Sequence, residues 1–361
     1  MNFFQNIRNH ISISGNSGCS DALSVSDDAK INTAPYIRRA HHAGSWYSSD
    51  PIVLDSLLTK FLTDARDDKD GDDSAPASAL GIGRGIPNAC ISPHAGFQYS
   101  GATAAYSYLA LAEAIRNNPL LGTVLVIHPS HHLYMDGCAV SGASKIETPL
   151  GNLTVDVNLR AQLLLTKKFG IMEQSVDEEE HSGEMQYPYI RKIINDAKEI
   201  NGKQYDIKVL PIMVGSIGMS KEESIGKLLS PFLSDRSVFT VISSDFCHWG
   251  RRFRYTPQPT EANETINEIY EFIEYLDRKG MYLIEMQRPG AFSDYLREYS
   301  NTICGRHPIS VWLHSIRESV WVHDVRFVKY AQSKKARSTR DHSVSYAGAV
   351  CRVINASQTP K

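Results

Sequence analysis

Short apolar runs that alternate with helical patterns constrain the fold of this chain more than any other feature. Four of the runs are mostly apolar and too short for helices: 89–92, 123–128, 207–215 and 237–242. Such runs predict buried β-strands, and the amphipathic segments between them predict helices. Strands that alternate with helices favour an α/β fold with a largely parallel, doubly wound sheet. Two alternating runs near the end, 325–331 and 343–354, have no helical pattern between them and predict antiparallel additions.

Polar, low-complexity segments mark the predicted limits of the folded domain. Residues 1–36 are rich in Ser and Asn and predict a mobile leader, and 356–361 form a short tail. Residues at about 64–88, which include D-D-K-D-G-D-D, predict a flexible insertion. We therefore predict a single α/β domain over 37–355. A cytoplasmic location is expected, with the nucleus as a further one, because the leader lacks an apolar core; a mitochondrial presequence is the alternative.

Charge and cysteine content exclude several classes of protein. The 361 residues carry a formal net charge of −2, which gives no basic excess for binding nucleic acid. No run approaches the roughly 18 apolar residues that a membrane span requires. The six cysteines include no C-x-x-C pair, a pattern typical of a reducing compartment, where thiols fill the core, bind metals or act as nucleophiles.

Reactive side chains follow three of the predicted strands. His94 and His131 each stand shortly after a strand and a proline, and the run at 237–242 leads into S-S-D-F-C-H-W-G. That stretch contributes three candidates: Asp245, Cys247 and His248. Because ligands bind beyond the carboxyl ends of the strands in open α/β sheets, we expect these side chains to lie close together. Cys304, which precedes a predicted helix, adds a second thiol to the set.

Imidazole and thiol groups in this pattern indicate a transition-metal site. Neutral histidine and deprotonated cysteine bind iron, copper and zinc, and a soft sulfur favours copper(I), zinc or iron(II). The repeated strand–Pro–His order favours this role for His94 and His131. A loop role with backbone hydrogen bonds is predicted for several others: His41, His42, His314, His323 and His342. No H-E-x-x-H, G-x-S-x-G or G-x-G-x-x-G motif frames these residues, so zincin, α/β-hydrolase and dinucleotide-binding sites lack support.

Two further groups have both a structural and a functional interpretation. Glu180, His181 and Glu184 fall at helical spacing, so they could share a face and orient metal ligands. They could equally be an acidic cluster that the dipole of a helix N-terminus favours. Trp46 and Trp249 could line a pocket, although buried aromatic residues more often pack in the core.

Seven short motifs occur in order along the chain. They are H-A-G-S-W-Y (42–47), P-H-A-G (93–96), P-S-H-H (129–132), E-H-S-G-E-M (180–185), S-S-D-F-C-H-W-G-R-R-F-R-Y (243–255), N-T-I-C-G-R-H-P (301–308) and S-V-S-Y-A (343–347). Together they resemble the Memo family, named for a mediator of ErbB-driven cell motility. The resemblance covers residues about 38 to 354, without the leader and the insertion.

The resemblance implies a fold similar to that of class III (LigB-type) extradiol dioxygenases, which use a nonhaem iron site of two histidines and one carboxylate. It places His94 and His131 as metal ligands, with Cys304 at the carboxylate position. It also places the remaining walls of the cleft: Trp46, Asp245 and His248. The implied metal is iron(II) or copper rather than zinc. The thiolate makes ring cleavage doubtful, because it changes the iron potential and the open coordination positions.

These observations lead to hypotheses from different classes. In the first, a metal-dependent protein acts in redox regulation or in motility and growth signalling, and Asp245 and His248 transfer protons. In the second, a non-enzymatic adaptor binds a phosphotyrosine peptide or a small molecule in the same cleft, next to Trp46, and has signalling proteins as partners. The third is a cysteine-dependent hydrolase or a dioxygenase, with Cys304 or Cys247 as the nucleophile of the hydrolase.

Overall fold

The computed structural model describes residues 36–68, 85–259 and 266–354. The predicted tail and nearly all of the predicted leader lie outside the described residues. Both ends of the predicted insertion belong to regular structure, since 64–67 complete a helix and 86–88 begin a strand. Residues 69–84 lie outside the described part of the chain.

The described helices follow the amphipathic segments of the sequence. Their bounds are α1 Pro51–Asp67, α2 Phe97–Asn117, α3 Val157–Leu165, α4 Gln174–Glu179, α5 His181–Glu184, α6 Tyr187–Asn201, α7 Met219–Leu233, α8 Ile269–Glu285, α9 Pro289–Tyr299 and α10 Arg306–Arg317. None of these helices is long and apolar enough to cross a membrane.

The described strands include every run that the sequence predicted. Their bounds are β1 Ile37–Arg38, β2 Ile86–Ser92, β3 Thr123–Pro129, β4 Cys138–Val140, β5 Lys145–Ile146, β6 Leu153–Thr154, β7 Phe169–Ile171, β8 Lys208–Val214, β9 Val238–Ser243, β10 His248–Gly250, β11 Val322–Gln332 and β12 His342–Ile354.

The main sheet is mixed, with a parallel centre. Its order is β10-β12-β2-β9-β3-β8-β4-β7, and β11 pairs with β12. The central strands β2, β9, β3 and β8 are parallel neighbours. Antiparallel pairs join β12 to β2, β11 to β12 and β4 to β8. The predicted α/β class, largely parallel with antiparallel additions, is therefore confirmed.

Burial explains why the central strands are continuous apolar runs. Every residue of β3 is buried, and so is every residue of β9. Strands covered on both faces have no solvent side, so polar alternation disappears from their sequence. Helix α2 packs on β2 and β12, while α7 and α10 pack against the neighbouring strand β9.

Two predicted helices begin or end differently in the structure. The amphipathic pattern of residues 261–279 predicts one helix, but α8 begins at Ile269. There the side chain of Glu268 accepts a hydrogen bond from the backbone N–H of Glu271, and the side chain of Glu271 accepts one from the backbone N–H of Glu268. Residues 260–265 lie outside the described chain. The segment before α6 is not one helix either, because Glu180 has extended backbone (φ −77°, ψ 117°) that separates α4 from α5. Glu180 and Glu184 therefore do not share one helical face.

Candidate metal centre

Three neighbouring strands direct the predicted residues to one edge of the sheet. His94 lies two residues after the end of β2, Asp245 two after β9, and His131 two after β3. These strands are parallel and adjacent in the order β2-β9-β3. Their carboxyl ends therefore meet, as expected for a ligand site in an α/β sheet.

Cys304 reaches the same edge from the loop before α10. Its Sγ lies 3.0 Å from Nε2 of His94 and accepts a hydrogen bond from the backbone N–H of Asp245 at 3.2 Å. The approach depends on Gly305, where an added Cβ would lie 2.4 Å from Cβ of Ser244 and 2.5 Å from the carbonyl oxygen of Ser243. Any larger residue would push the thiol away from the sheet.

The donor set of this edge suits a transition-metal ion. His94, His131 and Cys304 each offer one ligand atom, and these atoms lie within 4.8 Å of one another. Ligand bonds of about 2.0–2.3 Å allow one ion to bridge atoms at such separations after small side-chain movements. Two imidazoles and one sulfur favour copper, iron or zinc over magnesium or calcium.

Glu180 orients the ring of His131. Its carboxylate accepts hydrogen bonds from Nδ1 of His131 at 2.8 Å, from the backbone N–H of His131 at 2.6 Å and from the backbone N–H of Ser182 at 2.9 Å. Burial raises the pKa of Glu180, but hydrogen bonding and charge from His131 lower it well below its usual range. Because Nδ1 donates to Glu180, Nε2 of His131 is available to a metal, an arrangement common around metal-binding histidines.

A second group of possible ligands overlaps the first. His131, Glu180 and His181 also have ligand atoms within 4.8 Å of one another. In this group, however, Nδ1 of His131 and the carboxylate of Glu180 are hydrogen-bonded to each other. We therefore assign Glu180 to the support of His131. His181 is packed between His131 and Trp46, with both ring-centroid distances at 4.4 Å.

The protonation states of the three candidate ligands differ because their partners differ. Burial lowers the pKa of His94 well below its usual value, so this ring is neutral. Burial also lowers the pKa of His131, but contacts with Cys304 and Glu180 outweigh it and raise the pKa to about 10. Burial raises the pKa of the Cys304 thiol, an effect that His131 partly offsets.

Asp245 and His248 lie beside the three candidate ligands. Asp245 accepts the backbone N–H of His94 at 2.8 Å, and burial raises its pKa to about 7. Nδ1 of His248 donates to the carbonyl oxygen of Phe246 at 2.8 Å, and burial lowers the pKa of this ring. The backbone N–H of His248 also donates to the hydroxyl of Thr302 at 2.7 Å, which ties this loop to the loop of Cys304.

Glu184 attaches the N-terminal segment to the site. It accepts hydrogen bonds from Arg38 (2.7 Å), the Tyr47 hydroxyl (2.7 Å) and the backbone N–H of His42 (2.7 Å). Burial raises the pKa of Glu184, but Arg38 and His42 outweigh it and lower the pKa to about 2. The predicted backbone role of His42 is wrong, since its Nδ1 lies 3.1 Å from the Glu184 carboxylate. These contacts place Trp46 over His181.

Two residues of the S-S-D-F-C-H-W-G stretch, Cys247 and Trp249, lie in the hydrophobic core. Cys247 and Trp249 are fully buried and pack with Ile269 and Ile273 of α8. Burial raises the pKa of the Cys247 thiol well above its usual value, so a nucleophilic role is unsupported. Trp249 therefore packs in the core, whereas Trp46 lies half-buried with its ring 4.4 Å from that of His181.

A buried carboxylate that the sequence did not reveal connects two loops of the site. Asp277 of α8 has no exposed surface and accepts hydrogen bonds from the backbone N–H of Cys247 (3.2 Å), the amide of Asn301 (2.9 Å) and the hydroxyl of Tyr330 (2.9 Å). Cys247 follows Asp245, and Asn301 precedes Cys304 in the chain. Asp277 therefore links the loop of Asp245 to the loop of Cys304.

Replacing Asp277 by asparagine is expected to change the pH dependence of stability. Burial raises the pKa of Asp277 from 3.8 to about 6, so between these values the folded chain keeps a proton that the unfolded chain has released. The wild type should therefore lose about 3 kcal/mol of unfolding free energy relative to Asp277→Asn as pH rises through this window. Denaturant unfolding of both proteins across the window measures this difference. A difference that stays constant with pH would contradict the assignment.

Comparison with known proteins identifies the family. The family model described as Memo-like protein matches residues 38–350 of this chain. The chain belongs to the Memo family. The predicted resemblance is therefore confirmed, and the match includes the three candidate ligands, Trp46, Asp245 and His248.

Animal Memo proteins align with most of the chain. Protein MEMO1 of Homo sapiens is 39% identical over 313 residues, which cover 86% of this chain and 95% of the human protein. Protein MEMO1 of Danio rerio is 41% identical over the same length and coverage. Protein memo-1 homolog of Caenorhabditis elegans is 39% identical over 319 residues, covering 87% of this chain and 82% of that protein.

Proposed function

We propose that this Memo-family protein binds one redox-active metal ion through His94, His131 and Cys304 and acts in redox regulation or in motility and growth signalling. The observation that carries the proposal is the convergence of three ligand atoms within 4.8 Å of one another, from three distant parts of the chain. The supporting hydrogen bond of Glu180 to Nδ1 of His131 at 2.8 Å is typical of a metal-binding histidine.

The proposed metal is iron(II) or copper. A cysteine sulfur with two imidazoles favours a soft or borderline ion over one that prefers oxygen ligands. Such an ion, when bound, supplies one-electron chemistry. The thiolate in place of a carboxylate is the reason that ring cleavage is not part of the proposal.

Two residues of this chain are proposed to transfer protons beside the metal. Burial raises the pKa of Asp245 to about 7, so this carboxyl group can take up or release a proton near neutral pH. His248 donates from Nδ1 to the carbonyl oxygen of Phe246, which leaves its other ring nitrogen as a proton acceptor.

Anaerobic loading with iron(II) or copper(I) tests the metal site. We expect one ion per chain and tighter binding at higher pH, because the metal must displace protons from Cys304 and from His131, whose pKa is raised to about 10. Release of about two protons per ion would increase the apparent affinity by about 100-fold per pH unit near neutrality. Metal analysis after gel filtration and titration at several pH values give the stoichiometry and slope. A chain that stays metal-free would refute the proposal.

A non-enzymatic peptide-binding role is the second candidate. Its support is the pairing of an aromatic face with a cation: Trp46 lies half-buried over His181, and the raised pKa of His131 makes that ring cationic. An aromatic ring that carries a phosphate could stack on the indole and pair with the imidazolium. Titration with a tyrosine peptide in phosphorylated and unphosphorylated forms tests this role. Preferential binding of the phosphorylated form by a metal-free chain would favour it over the metal site.

A further inference from the structure

We propose that Ser243 and Gln186 are positioning residues that fix His94 in the tautomer protonated on Nδ1, so that the lone pair of Nε2 faces Cys304. The inference deepens the proposed metal site and rests on it for its functional consequence. Neither residue stood out in the sequence. Both are fully buried, at the junction between the end of β9 and the start of α6.

The hydroxyl of Ser243 has three close partners and only one proton. Its Oγ lies 2.8 Å from the carbonyl oxygen of Ser182, 2.9 Å from Nε2 of Gln186 and 2.8 Å from Nδ1 of His94. The Ser182 carbonyl can only accept, and two oxygens at this distance without a proton between them would repel. The hydroxyl proton is therefore committed to Ser182. In its two remaining contacts Oγ must therefore accept a hydrogen bond, one from Gln186 and one from His94.

The orientation of the Gln186 amide is determined independently. Its Oε1 accepts the hydroxyl of Tyr108 at 2.7 Å, while its Nε2 donates to the carbonyl oxygen of Pro93 at 3.1 Å as well as to Ser243. A flipped amide would place its oxygen against the Pro93 carbonyl, with no donor between them. Gln186 therefore donates to Ser243. The Ser243 hydroxyl cannot donate to His94 without losing its hydrogen bond to the carbonyl oxygen of Ser182.

The consequence for His94 is a defined direction of its lone pair. Because Nδ1 must donate to Ser243, the neutral ring carries no proton on Nε2, which lies 3.0 Å from Sγ of Cys304. A free neutral imidazole prefers the opposite tautomer, so the protein has to select this one through its hydrogen bonds. His131 is held in the same sense by the carboxylate of Glu180. The neutral ring of His94 thus presents an unprotonated Nε2 to the position next to the thiol, whereas the cationic ring of His131 must release its Nε2 proton before it binds a metal.

The tautomer of His94 can be measured directly in metal-free protein. Long-range ¹⁵N–¹H NMR of ¹⁵N-histidine-labelled full-length chain, with the signal assigned by its loss in His94→Gln, distinguishes a proton on Nδ1 from one on Nε2. We expect the Nδ1-protonated form in the wild type at neutral pH. In Ser243→Ala we expect a shift toward the Nε2-protonated form and a 10- to 100-fold weaker affinity for iron(II) or copper(I), the usual cost of losing a residue that orients a metal ligand.

Ser107→Ala is the matched control. It removes another buried serine hydroxyl, which donates to the carbonyl oxygen of Ile91 at 2.6 Å and has no contact with His94. In Ser107→Ala the tautomer of His94 and the metal affinity should equal those of the wild type. A wild-type His94 protonated on Nε2 or on both nitrogens overturns the inference, even if Ser243→Ala does not fold. Unchanged His94 signals in a folded Ser243→Ala also overturn it. An Nδ1-protonated His94 in a chain that binds no metal would refute the proposed function and leave the positioning role in place.

Discussion

Replacing Cys304 by alanine is expected to lower the affinity for iron(II) or copper(I) by more than about 100-fold, beyond the cost of losing a residue that only orients a ligand. The reason is that the sulfur is the one soft ligand of the set, and Sγ lies 3.0 Å from Nε2 of His94. The two histidines that remain cannot by themselves retain the ion against a competing chelator. Anaerobic competition with a chelator of known affinity measures the loss.

Cys90→Ala provides the control for this substitution. Cys90 lies in β2, four residues before His94, and it is buried in the sheet. Removing it changes the sheet interior but not the ligand set, so metal affinity should remain that of the wild type. Equal affinities for wild type and Cys304→Ala would exclude the thiol as a ligand and would return the site to an all-histidine or peptide-binding interpretation.

Replacing Glu184 by alanine is expected to lower the free energy of unfolding by about 3–5 kcal/mol, the usual cost of breaking a buried ion pair from one side. Arg38 is fully buried, and among the residues that the structure describes it keeps only Asp177 as an ionic partner once Glu184 is gone. The Tyr47 hydroxyl and the backbone N–H of His42 also lose their acceptor. Equilibrium denaturation by urea measures the change.

A surface ion pair serves as the comparison for Glu184. Lys60 and Asp64 form an i,i+4 pair on α1 with side chains 68% and 59% exposed. Such pairs contribute little because solvent screens them, so Lys60→Ala should leave the unfolding free energy within experimental error. A loss in Glu184→Ala no larger than that in Lys60→Ala would show that the buried network does not stabilise the N-terminal segment.

Local sequence pattern predicted those parts of the site that a strand delivers directly. His94 and His131 follow buried strands and prolines, and parallel strands end at a common edge, so their convergence could be expected. Cys304 was different, because the residue pattern offered two thiols, Cys247 and Cys304, and only the family resemblance selected Cys304 as the ligand. Its approach depends on Gly305 packing against Ser243 and Ser244, a contact between segments about 60 positions apart in the chain.

The residues that orient the ligands had no comparable signal. Ser243, Gln186 and Asp277 are ordinary polar residues until the fold buries them, and burial makes each of their hydrogen bonds obligatory. Glu180 and Glu184 were predicted as a shared helical face, but the extended backbone at Glu180 sends one carboxylate to His131 and the other to Arg38. The extended backbone of one residue thus gives different partners to two carboxylates that helical spacing would place on one face.

The sequence by itself determined the α/β class, the strands that build the sheet and two of the three candidate ligands, because apolar periodicity and strand-ending prolines are local properties. The tertiary structure decided which thiol faces the histidines. Cys247, next to the conspicuous Asp245 and His248, is turned into the core beneath α8, while Cys304 lies against Nε2 of His94. It also decided where the protons reside, since the partners of His94 and His131 come from segments 49 to 149 positions away. Long-range contacts, which no local pattern records, therefore orient the rings of the two candidate histidine ligands.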